Sequence, residues 1–230
     1  MLQAIVFDFD GVLVDSEPLH HRALQEIGQP LGIDLDFAEY AKTYIGFDDR
    51  DSVRYMLTGR AEPLDPVMER RVAELCHRKQ QIFDQLMAEG APAMPGAVAL
   101  VQAAKAAMPV AVASGATAGE IALMLDGLGL SQAFEVIVAA DDVARSKPDP
   151  QSYALAVQRL RAELDRPDLT AGGCLAIEDT ETGIASAKAA GLQTLGVTTT
   201  RSAEVLHEAD RVVESLEGLT VNQLRAWFDG

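Results

Sequence analysis

The sequence is short of cysteine, of basic residues and of long apolar runs. Its two cysteines, Cys76 and Cys174, cannot build a disulfide framework. Cys76 falls in a helical pattern and Cys174 in a strand-like one, so both are expected as buried structural thiols. Lysine and arginine total 19 against 35 aspartate and glutamate, a formal charge of −16. That balance argues against nucleic acid or an anionic membrane as partner, since phosphate binding needs clustered cations. An anionic ligand would need a locally positive pocket or a bound cation. No apolar run approaches the ~18 residues of a membrane span. The first apolar run has no basic residues before it and passes straight into acids, unlike a signal peptide. The expectation is a soluble, cytoplasmic protein.

What is present is ample apolar material: 48% of the 230 residues are hydrophobic. That supports one large domain or two modest ones with real cores. Short apolar, β-branched runs recur, each followed by turn residues and a helical pattern. They are "LQAIVFDF" at the start, "PVAVAS" at 109–114, "FEVIVAA" at 134–140, "CLAIED" at 174–179 and "TLGVTT" at 194–199. "RVVES" at 211–215 is a weaker candidate. Helical stretches such as "SYALAVQRLRAEL" and "TGIASAKAAG" lie between them, the latter stopping at Gly191. Alternation of this kind predicts an α/β fold, a parallel sheet with helices on both faces.

Residues 16–90 break the rhythm. They read as helices throughout: "PLHHRALQEIG", "DFAEYAKTYIG", "DRDSVRYMLTG" and the long "DPVMERRVAELCHRKQQIFDQLMAEG". The turn "PAMPG" at 92–96 restores the alternation. The simplest organisation is a core of residues 1–15 and 91–230, with a helical domain, 16–90, inserted after the first strand.

In doubly wound sheets, ligands bind outside the carboxyl ends of the strands. The first strand ends in Asp8 and Asp10, with Gly11 behind them. "PVAVAS" ends in Ser114-Gly115, the segment after "VIVAA" carries "SKPDP" with Lys147, and "CLAIED" ends in Glu178-Asp179. An unpaired buried charge costs several kcal/mol, so such acids need a metal, a cation or a proton. Asp8, Asp10 and Asp179 offer the hard oxygen ligands that Mg²⁺ prefers, and Lys147 would offset further charge. Ser114 and the backbone N–H of Gly115 suit phosphate oxygens. Each feature alone has a plain structural reading: Ser114 or "ED" capping the next helix, "KPDP" a turn before one. Four together at successive strand ends point to a site.

"DFDGVLVDSE", "VASGAT", "SKPDP" and "AIEDTETGIASAKAAG" resemble the four signatures of the haloacid dehalogenase superfamily. The likeness covers essentially the whole chain and is to the phosphatase and phosphomutase branch with a helical cap. It implies a Rossmann-like core of strand order 5-4-1-2-3 and an active site between core and cap. By position, Asp8 is implied as the nucleophile that forms an aspartyl-phosphate, and Asp10 as the acid, then base. Mg²⁺ would lie on the Asp8 carboxylate, the Asp10 backbone carbonyl and Asp179, with Glu178 reaching it directly or through water. Lys147 would steady Asp8 and the phosphoryl charge. The Asp-x-Asp pair favours phosphoryl transfer over dehalogenation, because a departing alkoxide needs a proton and a halide does not.

For the cap, the resemblance implies His20 and Lys79 as substrate-facing, and places "YIGFDDRDSVR" at the loop that reaches the substrate. Arg50 or Arg54 there would meet the distal part of an anionic substrate, and surface roles remain open for both. Ile45 stands where β-phosphoglucomutases carry a lysine for a second phosphate, and "FDDR" brings acids instead. The implied activity is a Mg²⁺-dependent phosphatase of a small phosphorylated metabolite, as monomer or homodimer. A β-phosphoglucomutase-like mutase is the alternative, and a silent binding protein on the same fold is a third reading.

Overall fold

The computed structural model of the chain describes residues 1–45 and 47–229. In chain order, strand β1 (Ala4–Phe7) is followed by helices α1 (Glu17–Gly28), α2 (Phe37–Thr43), α3 (Asp49–Thr58) and α4 (Pro66–Glu89). The alternating part then runs α5 (Ala97–Lys105), β2 (Val110–Ala113), α6 (Ala118–Gly127), β3 (Val136–Val138), α7 (Gln151–Glu163) and β4 (Cys174–Glu178). It closes with α8 (Glu181–Ala189), β5 (Gln193–Val197), β6 (Arg211–Val213) and α9 (Val221–Phe228). The chain divides into two compact units, Met1–Asp15 with Pro92–Gly230, and Ser16–Ala91.

The first unit is an α/β fold around one six-stranded sheet of order β3-β2-β1-β4-β5-β6, every neighbour pair parallel. Read from the other edge this is the expected 5-4-1-2-3 with β6 added outside β5. The sheet is Rossmann-like. Both faces are covered: Ala4, Val6, Ala111, Ala113 and Ala176 pack with Tyr153, Ala156 and Leu160 of α7. The alternate residues Ile5, Phe7, Val112, Leu175 and Ile177 are equally buried. That is why these strands read as unbroken apolar runs rather than as alternations. Arg211–Val213 pairs only with β5, at the sheet edge, and its half-exposed residues explain its weaker signal.

Among the described residues, the regular elements of the second unit are all helices. Asp36, Asp48 and Asp65 each cap the helix that follows by accepting backbone N–H bonds. Leu24 and Ile27 of α1, Val53 and Met56 of α3, and Val72 and Leu75 of α4 form its core with Tyr40 and Tyr44. Ile45 packs against that core, half-buried. Cys174 is buried as expected, whereas Cys76 is only half-buried, because its helix position borders the edge of this small core. Among the described residues no helix is long and apolar enough to cross a membrane.

Candidate active site

Backbone pairing sets where the acids stand. The Asp8 N–H donates to Ile177 O at 2.9 Å, so the β1–β4 ladder runs one residue past β1. The Ser114 N–H donates to Val138 O at 2.9 Å and extends β2–β3 likewise. Asp8, Ser114, Glu178 and Asp179 therefore share one end of the sheet, and all four are buried. Behind Asp8 the chain turns sharply at Gly11, whose φ is +72°. A Cβ there would lie 2.0 Å from Asp179 Oδ2, so the turn brings backbone against a carboxylate that only glycine tolerates.

Lys147 joins the two acidic ends. Its Nζ donates to Asp8 Oδ1 and to Glu178 Oε1, each at 2.6 Å. Glu178 is held on all sides. Its Oε1 also accepts the Tyr153 hydroxyl at 2.6 Å, and its Oε2 accepts the Asp179 N–H and the Thr180 hydroxyl, both at 3.2 Å. Four donors occupy its two oxygens, which makes Glu178 the anchor of Lys147. Gly183 in α8 makes room for it, since a Cβ at Gly183 would lie 2.0 Å from the Glu178 carboxylate.

Asp8, Glu178 and Asp179 each offer an oxygen within 4.8 Å of the others. One ammonium against three buried carboxylates leaves excess negative charge. Burial, with Glu178 next, pushes the Asp8 carboxyl well above its ordinary range. The same two causes push Asp179 up to about 7, against a lowering hydrogen bond from Thr200. Burial disfavours the Lys147 ammonium, but Asp8 and Glu178 more than offset it and leave its pKa raised. Burial and Glu178 raise Tyr153 strongly, so it stays a phenol donor. A set of hard oxygen ligands short of positive charge fits a divalent cation.

The expected residues are distributed as follows. Asp10 is half-buried beyond the first turn, bridged to Val14, and its charge bears on Asp179. Ser114 Oγ accepts the Ala116 N–H at 2.9 Å, while Thr117 caps α6, so Ser114 is not the cap. Ser114, Gly115, Ser146, Lys147 and Ser152 line a cleft of about 460 Å³. Tyr153, Thr200 and Gly183 went unread in the sequence. The "GIASAKAAG" helix pattern hides Gly183, and a tyrosine inside a helical core stripe carries no mark of its partner.

In the helical unit, Lys79 is 2% exposed, and its Nζ meets His20 Nδ1 at 2.7 Å and Asp49 Oδ1 at 2.5 Å. Arg54 is forked onto Glu69 at 2.8 and 3.0 Å and bonded to Asp51 at 2.8 Å. Arg50 reaches the same Glu69 at 3.3 Å from an exposed position.

Comparison with known proteins then decides the family. A family model described as haloacid dehalogenase-like hydrolase matches residues 2–191. The chain belongs to that family. It is a hydrolase of the haloacid dehalogenase-like kind. It is 31% identical over 225 residues to validoxylamine A 7'-phosphate phosphatase of Streptomyces hygroscopicus subsp. limoneus, covering 94% of this chain and 95% of that one. It is 29% identical to β-phosphoglucomutase of Bacillus subtilis strain 168, over 97% and 94% of the two chains. Among solved structures, that of the protein CbbY from Rhodobacter sphaeroides in complex with phosphate superposes with a TM-score of 0.69. It is 30% identical, and both chains are covered fully.

Proposed function

We propose that the protein is a Mg²⁺-dependent phosphatase of small phosphorylated metabolites, working through an aspartyl-phosphate on Asp8. The observation that carries the reading is the Lys147 ammonium, shared at 2.6 Å between Asp8 and Glu178 within a cluster of three buried carboxylates. A nucleophilic carboxylate must be ionised, and its burial opposes that. Lys147 answers on one side. A Mg²⁺ ion held by Asp8, Asp179 and the backbone carbonyl of Asp10 would supply the rest, and would polarise the phosphoryl oxygens.

The chain's own groups then divide the work. Asp8 attacks phosphorus and the ester P–O bond breaks. Asp10, beyond the end of β1, protonates the departing alkoxide, a step worth ~10²–10⁴-fold. The same carboxylate then takes a proton from the water that hydrolyses the aspartyl-phosphate, which regenerates Asp8. Ser114 and the Gly115 N–H hold phosphoryl oxygens, and Lys147 balances the charge that spreads over them. The Glu178–Tyr153–Thr180 set keeps Lys147 aimed. A small phosphorylated metabolite is the partner, for a cytoplasmic enzyme acting as monomer or homodimer.

A mutase reading has one specific support, the 29% identity to a β-phosphoglucomutase. A mutase must hold a second phosphate, and a desolvated dianion needs cations. In the helical unit Arg50, Arg54 and Lys79 are engaged by Glu69, Asp51 and Asp49, and Ile45 is apolar. These contacts favour water over a second sugar hydroxyl. Incubating the protein and Mg²⁺ with several monophosphates, β-glucose 1-phosphate among them with a bisphosphate primer, separates the two. The expected result is net phosphate release from several of them and negligible glucose 6-phosphate. Isomerisation much faster than phosphate release would overturn the phosphatase reading.

A further inference from the structure

Helices α1, α3 and α4 bring three polar groups together inside the helical unit. His20 lies on α1, Asp49 is the first residue of α3, and Lys79 sits mid-way along α4. Phe83, one turn beyond Lys79, stacks on the His20 ring with centroids 4.1 Å apart and planes 17° apart. The same ring takes the Lys79 Nζ at 5.1 Å from its centroid. The imidazole is thus clamped in orientation by a face contact and in hydrogen bonding by one nitrogen.

An ammonium has three donors and no acceptor. Its 2.7 Å contact with His20 Nδ1 can form only if that nitrogen presents a lone pair. The imidazole is then neutral, and its single proton lies on Nε2. A protonated ring would set N–H against an ammonium. Asp49 supplies a counter-ion to this lysine of 2% exposure, at 2.5 Å from Nζ. Its place in the first turn of α3 adds the positive end of the helix dipole to its own stabilisation.

We infer that Asp49 and Lys79 are positioning residues that fix His20 as a neutral imidazole with its proton on Nε2. The charged groups bearing on the ring are Lys79 from α4 and Asp49 from α3. Burial and then Lys79 lower its pKa to about 4, against Asp49, which raises it. His20 is therefore a fixed N–H donor between pH 5 and 8 and does not shuttle protons there. The charge of Lys79 is spent inside the unit on Asp49. What the ring offers is one N–H hydrogen-bond donor to an oxygen acceptor, and not the donated proton of a general acid.

The test is long-range ¹H–¹⁵N NMR of the histidine rings in the full-length protein from pH 5 to 8, with His20→Gln to assign the signal. It does not depend on the enzyme having any substrate, so it stands or falls apart from the phosphatase reading. The expected wild-type spectrum has His20 in the Nε2–H tautomer, with no change of protonation across that range. Lys79→Met and Asp49→Ala should each release the lock, so that the Nδ1–H tautomer appears beside the Nε2–H form. With Lys79→Met the ring should also begin to titrate at higher pH than in wild type, since a cation has been removed. Arginine at position 79 should restore the Nε2–H signal at least in part. A wild-type ring in the Nδ1–H form, or one titrating above pH 6, overturns the inference by itself. So does an unchanged pure Nε2–H signal in both folded variants.

Discussion

Two residues outside the proposed ligand set, Gly183 and Tyr153, decide whether Lys147 can be placed. Gly183 leaves space for the Glu178 carboxylate, and the Tyr153 hydroxyl holds it at 2.6 Å. Gly183→Ala forces a methyl group into a carboxylate 2.0 Å away. The expected loss is about 1–3 kcal/mol, typical of overpacking, together with loss of turnover because the Lys147 anchor shifts. Tyr153→Phe removes a donor to a charged, fully buried acceptor, an effect of about 1.5–3 kcal/mol, and should slow turnover without abolishing it. Thermal unfolding and phosphate-release assays of both variants check this. Wild-type melting and rate in Gly183→Ala would contradict the packing account. At this scale the sequence was legible where chemistry follows residue type: an acid at an apolar strand end must be compensated. It was silent on Tyr153, Thr200 and Gly183, whose roles depend on side-chain direction and on an atom that glycine lacks.

At the scale of elements, the site is the meeting of strand ends, and its charge is set by β1 and β4 together. Asp179 has its pKa raised from its ordinary value to about 7. A carboxyl raised on folding binds more protons in the folded state, so the metal-free protein loses stability as pH rises from about 4 through 7. A divalent cation removes that loss and competes with the proton. Mg²⁺ should therefore raise the melting temperature more at pH 8 than at pH 6, and Asp179→Ala should largely abolish the gain. An equal gain at both pH values, or none, would contradict the metal assignment. The strands were readable because both faces of this sheet are buried, which makes their apolar runs continuous. The edge strand β6, Arg211–Val213, gave a weaker signal because it is half-exposed. The cap of α6 is Thr117 rather than Ser114, a distinction that needs the backbone geometry of 114–117.

For the whole molecule, the two units differ in their response to acid. His20 in the helical unit has a folded pKa of about 4 against 6.5 in the unfolded chain. The folded state favours the neutral ring, so this contribution is complete above pH 6.5 and is lost as pH falls through 6.5 towards 4. The loss is on the order of 3 kcal/mol. Hydrogen exchange at the amides of α1 and α4 should accelerate over that window, and in Lys79→Met the acceleration should be smaller and begin at higher pH, since burial remains and one cation is gone. Unchanged protection at pH 4.5 would contradict the burial of a neutral ring. The parallel core was legible from hydrophobic period, since its chain alternates strand and helix. The pairing of Lys79 with Asp49 was not, because 30 residues separate them along the chain. The central claim, that Asp8 is the nucleophile of a phosphatase, is tested most directly by Asp8→Asn. Phosphate release with Mg²⁺ is to be measured from whichever monophosphate the wild type hydrolyses best. Turnover should vanish while circular dichroism stays that of the wild type. Retention of more than about a tenth of the activity, ~1.4 kcal/mol in barrier, would contradict it.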